Sequence, residues 1–196
     1  MRIIAGTLKG RTLATPTWEG LRPTSDKLRE TLFNVLAPRI DGARFLDGFA
    51  GTGAVGFEAL SRGASHVTFI EKDPRACRLI AENARRCGLA GGYTILRGGV
   101  VETGRRERLG PFDLVFLDPP YADKYVIDAA AAAMPWLAAD GRLVLEHAAR
   151  DPVAADAVAG AQLVRVLRSG DAALSFFDVI SRDVESREKR PDVDET

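Results

Sequence analysis

Cysteine is scarce in this chain of 196 residues: there are two, Cys77 and Cys87, with no C-x-x-C and no nearby histidine pair. That argues against a disulfide framework and a zinc site, and both thiols are expected to pack as small apolar groups on a helix. No metal is expected. Long apolar runs are missing too. The opening MRIIAGTLKG lacks the apolar core of a signal peptide, and no stretch approaches the length of a membrane span. A soluble cytoplasmic protein with no membrane partner is the expectation. Net charge is also absent, with 27 basic and 27 acidic residues, so total charge neither demands nor excludes a nucleic-acid partner.

What is present describes an ordinary globular protein: 46% of residues are hydrophobic and 28% charged. The length suits one domain with a sizeable core. Charge is unevenly placed. Residues 1–39 carry seven basic side chains (Arg2, Lys9, Arg11, Arg22, Lys27, Arg29 and Arg39) against three acidic ones. A second basic cluster runs from Arg75 to Arg108. Such segments suit a protein that touches a polyanion on one side, although solvated helix faces give the same pattern.

Residues 2–14 alternate around Gly6 and Gly10 and read as a short hairpin or extended arm. A loop at 18–23 follows. Thr24, Ser25 or Asp26 then caps a helix to about Ala37, with Leu28, Leu32, Val35 and Leu36 on its apolar face. From Ala43 onward, apolar strands at 43–47, 66–71, 93–96, 112–118 and 141–146 alternate with helical segments at about 53–62, 74–87, 100–108 and 124–138. That alternation means a mostly parallel sheet with helices on both faces. A short helix is expected after Pro152. Runs at 161–168 and 174–181, separated by Ser169-Gly170-Asp171, then close the sheet as an antiparallel hairpin. The organisation predicted is an arm and helix at 1–40, a core at 41–182 and a disordered tail at 183–196.

FLDGFAGTGAVGFEAL (45–60) reads as strand, glycine-rich turn and helix, and Gly51, Gly53 and Gly56 spell G-x-G-x-x-G. Such a loop lets backbone approach a ligand closely. The strand before it ends in Asp47, an anion that would repel a pyrophosphate but attract the ammonium of S-adenosylmethionine. That sits badly with a dinucleotide-dependent dehydrogenase. The second strand ends in Glu71, about twenty residues past the loop, where an acid can hold both ribose hydroxyls. A surface acid at a strand end is the plain alternative for Glu71 taken alone.

FLDPPY (116–121) ends the fourth strand in a carboxylate, two prolines and an aromatic ring. A strand punctuated by prolines is common. Beside a methyl sulfonium the corner can do more. The Asp118 carboxylate and the Pro119 carbonyl, held in direction by Pro119 and Pro120, can grip the two hydrogens of an exocyclic amine and aim its lone pair. Tyr121 offers a ring on which an extruded base can stack.

D-P-P-Y at this position, with the glycine loop after the first strand, resembles the class I methyltransferases that act on planar amine or amide nitrogens. RIIAGTLKGRTL (2–13), LRPTSDKLRETLFNVL (21–36), FLDGFAGTGAVGFEALSRGA (45–64) and GDAALSFF (170–177) further resemble the RsmD family, bacterial 16S rRNA guanine-N2 methyltransferases. The resemblance covers about residues 1–181 and implies a Rossmann-like, mostly parallel seven-stranded sheet. It implies S-adenosylmethionine as cofactor, S-adenosylhomocysteine as product, and 16S rRNA in the 30S subunit or its assembly intermediate as partner. It matches Asp47, Gly48, Ala50, Gly51 and Gly53 to the cofactor loop, Glu71 and Lys72 to the ribose end, and Asp118 to Tyr121 to the catalytic motif, with Asp118 also at the cofactor. Arg2, Lys9, Arg11, Arg22 and Thr24 match the rRNA-facing region. One departure stands out. Related enzymes often carry Asp or Asn after the third strand to reach the adenine, whereas this chain has Gly99, so a backbone contact from Gly99 or Val100 is the expected substitute. A monomer is expected, since nothing demands a dimer. Competing expectations are a DNA adenine-N6 methyltransferase, which lacks here an obvious duplex-recognition domain, and a catalytically silent RNA-binding or assembly factor.

Overall fold

The core is built on five apolar runs that form parallel strands: β1 (Arg44–Gly48), β2 (His66–Glu71), β3 (Tyr93–Arg97), β4 (Phe112–Leu117) and β5 (Leu137–Ala148). Two more, β6 (Ala161–Ser169) and β7 (Ala172–Val179), complete a seven-stranded sheet in the order β3-β2-β1-β4-β5-β7-β6. This computed structural model describes residues 1–18, 24–106, 109–120 and 123–180. The expected tail at 183–196 and most of the 18–23 loop lie outside them. β7 runs antiparallel to both β5 and β6, and the β6–β7 turn uses Gly170 at φ +62° in a two-residue loop. A glycine-first loop of this kind matches the twist of a hairpin.

Because side chains alternate across a pleated strand, the sheet has two cores. Phe45, Leu114, Phe116, Val144 and Phe176 point to one face. Helices α1 (Asp26–Leu36), α2 (Ala54–Ser61) and α3 (Pro74–Arg86) cover it. Leu46, Val115, Leu117, Leu143 and Leu145 point to the other, which receives α4 (Val100–Arg106) and α5 (Asp123–Ala133). The Ser25 hydroxyl caps α1 by accepting from the Leu28 N–H, and Asp73 caps α3 ahead of Pro74. Gly56 lets α2 lie close on the sheet: a Cβ there would sit 2.8 Å from Val67 Cγ1 and collide with the Phe69 ring.

Four details differ from the sequence expectations. On α1 Leu28, Leu32 and Leu36 are buried as expected, but Phe33, stacked on Phe45, joins them while Val35 is only half-buried. The helix expected to reach residue 138 stops at Ala133 in a 3-10 turn around Pro135, because a proline inside the turn removes a backbone donor. β5 begins at Leu137 rather than 141, since 138–141 form a bulge opposite β4 rather than a turn before the strand. The short helix expected after Pro152 is instead a pair of tight turns, closed by Ala157 N–H to Ala154 C=O and Ala161 N–H to Val158 C=O. Gly160, at φ +80°, ends that segment before a helix could propagate.

The N-terminal arm is a looped hairpin bridged at Arg2 and Thr12, with Ile3 and Leu13 buried. Its fastening is Glu58 of α2, whose side chain is fully buried. Glu58 accepts from the Ile4 and Ala5 N–H groups at 2.8 and 3.0 Å, pairs with Arg62 at 2.8 Å, and lies 3.9 Å from the buried Arg29 guanidinium. Arg29 in turn donates to the Arg2 carbonyl and to Asp26. Although the sequence pattern counts it in a basic surface, Arg29 has no exposed area.

Glu58→Ala leaves the Arg62 guanidinium and two arm N–H groups without their acceptor and removes the counter-charge beside buried Arg29. It should lower the unfolding free energy by about 3–5 kcal/mol in urea denaturation, with Glu58→Gln costing less.

Candidate active site

At the carboxyl ends of β1, β2, β4 and β5 a cleft of about 470 Å³ opens, where the strand order reverses between β1 and β4. Open parallel sheets bind ligands at this place. Registers Asp47 to Phe69 on β2 and Asp47 to Phe116 on β4 put Asp47 at the centre of the sheet end. Its side chain is 2% exposed, and Oδ2 accepts the Gly56 N–H at 2.8 Å.

The glycine loop leaves β1 through Phe49, at φ +68° the one non-glycine residue in the left-handed region among the described residues. Such a conformation is a small local strain, held by its surroundings. Here the Ala50 N–H bonds to Ile70, the Gly53 N–H to Ala50, and the Phe49 ring meets Tyr125 edge-on at 5.8 Å. Glu71 braces the loop from the next strand. Its Oε2 accepts from Gly51 N–H and its Oε1 from Asp73 N–H, both at 2.8 Å, while its carbonyl accepts from Gly98 N–H at 3.0 Å. One residue thus holds the loops after β1, β2 and β3 together.

Most sequence-predicted residues meet in this cleft. Asp47, Ala50, Gly51, Glu71 and Lys72 line one half, and Gly99 and Val100 close it below. Asp118, Pro119 and Pro120 line the other half, with Thr24 at the rim. Gly48 and Gly53 do not line it. A Cβ at Gly48 would meet Leu117 and Val100, and one at Gly53 would meet Phe57, so these two glycines shape the loop through packing. Arg2, Lys9 and Arg11 sit exposed on the arm, away from the lining. Tyr121 and Arg22 lie outside the described residues.

The structure adds residues that sequence reading missed. Phe49, Thr52, Ala54 and Val55 join the glycine loop, and Ser25 and Leu28 of α1 form a wall. Glu146 of β5, with Ser169, Asp171 and Ala172 of the hairpin, forms the far side. Glu146 carried the same signal as Asp47 and Asp118, an acid ending an apolar run (RLVLEH). The sequence marks 169–172 as a hairpin turn and not as cleft lining, because the long return of β7 beside β5 brings them in.

Five carboxylates therefore line one cleft: Asp47, Glu71, Asp118, Glu146 and Asp171. Burial pushes the Asp47 carboxyl well above its ordinary value of 3.8, the Gly56 N–H offsets part of this, and the charges of Asp118 and Glu71 push it further up. An anionic cleft with this composition selects a cationic ligand. Among the described residues no group of three or more His, Cys, Asp or Glu side chains is placed to hold a metal ion, and no helix is long and apolar enough to cross a membrane.

Because the folded-state pKa of Asp47 is raised, the stability it contributes is fully present below pH 3.8 and is lost as pH rises through the raised value. Above it the native state carries a buried charge that the unfolded chain would solvate. Asp47→Asn should therefore unfold at a higher temperature than the wild type at pH 7, with the difference vanishing below pH 3.8, in calorimetry without ligand.

A family model described as Conserved hypothetical protein 95 matches residues 1–178. Ribosomal RNA small subunit methyltransferase D of Haemophilus influenzae is 44% identical over 123 residues, which are 62% of this chain and 64% of that protein. The match thus spans just under two thirds of that relative's length. The putative rRNA methyltransferase YlbH of Bacillus subtilis is 36% identical over 151 residues, 75% of this chain and 82% of that one. The solved structure of the putative methyltransferase yhhF from Escherichia coli superposes with a TM-score of 0.83 at 33% identity, covering 93% of this chain and 99% of that one. The shared fold, the matched length and the motifs at the cleft agree: this chain belongs to the family of that model, the RsmD family of methyltransferases.

Proposed function

We propose that this protein transfers a methyl group from S-adenosylmethionine to the exocyclic N2 of a specific guanine in 16S rRNA of the small ribosomal subunit. The observation that carries the reading is that Asp118 and Pro119 face the same cleft as Asp47 and Glu71, from neighbouring strands. The names of the relatives support small-subunit rRNA as the substrate class. The guanine N2 position follows from the resemblance of the motifs.

The cofactor suits the donors present. Asp47 sits where an ammonium would neutralise its unfavourable buried charge. Each Glu71 carboxylate oxygen, after accepting one backbone N–H, keeps a lone pair for a ribose hydroxyl. Lys72, exposed at the rim, borders the same end, and Ala50 and Gly51 present backbone to the ligand. Gly48 and Gly53 act through the shape of the loop. Gly98 and Gly99 leave only main chain where a base would lie, consistent with contact through the backbone of Gly99 or Val100. When bound, S-adenosylmethionine supplies a methyl on a sulfonium whose carbon–sulfur bond breaks to a neutral thioether.

The chain's own contribution is positioning. The Asp118 carboxylate and the Pro119 carbonyl accept the two hydrogens of the guanine amine, which localises its lone pair toward the methyl carbon. The amine nitrogen becomes positive as it bonds to carbon, and Asp118 is assigned the proton it releases. Pro119 is buried and Pro120 exposed, so the corner is anchored on one side and open on the other. Tyr121 is assigned the stacking role. Arg2, Lys9, Arg11 and Arg22 are assigned the phosphate contacts, with Thr24 at the rim of the cleft. Arg11 also donates to the Arg86 carbonyl, which joins the arm to the basic end of α3. The protein would act as a monomer on the 30S subunit or its assembly intermediate.

With labelled S-adenosylmethionine, the protein should methylate small subunits from a strain lacking the enzyme, and mapping should find N2-methylguanosine. Label in plasmid DNA instead would favour adenine-N6 chemistry. Asp118→Ala should lose at least about 100-fold in turnover while its affinity for S-adenosylmethionine stays within a few-fold by calorimetry. Full activity in that variant would remove the mechanism. Changing Arg2, Lys9 and Arg11 together to Ala should weaken rRNA binding and reduce the slope of log affinity against log salt by up to about three.

A further inference from the structure

Glu146 has no role in the mechanism above, yet it stands next to Asp118. In the parallel register of β4 and β5, Leu117 pairs with Leu145, so the next residues, Asp118 just past β4 and Glu146 near the end of β5, lie side by side. Both line the cleft. Antiparallel pairing with Leu174 of β7, which is fully buried, holds the Glu146 backbone from the other side. The side chain is 4% exposed, so the carboxylate works in a largely water-free setting. It also borders the half of the cleft that Asp118 and Pro119 form with Ser169 and Asp171, away from Glu71 and Lys72.

We infer that Glu146 is a specificity-determining residue that selects guanine by accepting its N1–H. The inference rests on the guanine-N2 reading. On the Watson–Crick edge of guanine, N1–H lies next to the N2 amine that Asp118 and Pro119 grip. A carboxylate beside Asp118 is the acceptor that such an edge requires. Adenine presents an unprotonated N1 at the corresponding position, and its lone pair would face the carboxylate without a proton between them. A carboxylate has about four lone-pair positions, so contacts within the protein still leave Glu146 able to take one from a base. Burial sharpens the choice, because an acceptor left unmatched in a dry site is costly. The corner and Glu146 thus divide the work: one aligns the amine, the other reads the ring nitrogen beside it.

The test compares guanine with 2,6-diaminopurine at the methylated position of 16S rRNA reconstituted into small subunits. Diaminopurine keeps the 2-amine but has an unprotonated N1. Wild-type protein should prefer guanine by about 100-fold or more in kcat/KM, as sites built to bond a substrate N–H reject analogues that lack it. In Glu146→Gln the side-chain amide can turn its NH2 toward the unprotonated N1, so the preference should fall to within about tenfold. Affinity for S-adenosylmethionine and the unfolding midpoint should stay near wild type, which a merely structural residue would not allow together with a changed preference. Equal use of the two substrates by wild type overturns the assignment, and so does a Glu146→Gln variant that keeps the wild-type preference. Should the glutamine variant not fold, Glu146→Asp keeps the charge but withdraws the carboxylate by one methylene. It should lose most of the preference, and retention of it overturns the assignment. Wild-type protein that methylates neither substrate overturns the proposed function itself and this assignment with it.

Discussion

Three loops at the end of the sheet depend on one residue, through its carboxylate and its main-chain carbonyl. Glu71 accepts from Gly51 on the loop after β1 and from Asp73 after β2, and its carbonyl accepts from Gly98 after β3. Without these bonds three segments that diverge from neighbouring strands would have no common reference. The cleft would then have no defined depth. The same bonds leave the acid partly available to solvent or a ligand, so one residue both builds the wall and belongs to it. Buried polar groups of this sort are strongly specifying when satisfied, since each alternative arrangement leaves a donor or acceptor stranded.

The N-terminal third is fastened to that wall by two further buried polar groups. Glu58 takes the arm's N–H groups and neutralises Arg29 and Arg62. Asn83 of α3, fully buried, accepts from the Ala14 N–H and donates to the carbonyls of Ala14 and Thr52. Thr52 is part of the glycine loop, so the arm and the loop share one amide side chain. Arg29 completes the arrangement by holding α1, whose first turn walls the cleft, against the start of α2 through the Ala54 carbonyl. The basic arm and the cleft are therefore tied together by shared buried side chains.

Much of this was legible in the sequence, for a physical reason. An acid that ends an apolar strand is costly to bury without purpose, so Asp47, Glu71 and Asp118 announced the cleft. The strand–helix alternation announced the sheet, and the Ser169-Gly170-Asp171 spacer between two apolar runs announced the final hairpin. What stayed hidden depended on distant contacts. Glu146 obeyed the same rule as the other three acids, but its place beside Asp118 requires knowing that β5 follows β4 in the sheet. Arg29 read as surface charge because its partner Glu58 is far along the chain. Phe33, outside the expected face, is buried against the Phe45 ring of β1, a contact that helical spacing alone does not show. Gly56 matched a ligand-binding motif, yet its small size serves the packing of α2 on Phe69.

The hairpin at the end of the sheet closes the cleft with Ser169, Asp171 and Ala172, while Thr24, Ser25 and Leu28 wall it near the start of the chain. A nascent chain on the ribosome therefore has no complete cleft until nearly all of the fold has emerged and β7 has inserted between β5 and β6. Any ligand that needs the whole cleft favours only the finished fold, and by mass action it adds stability to both ends at once.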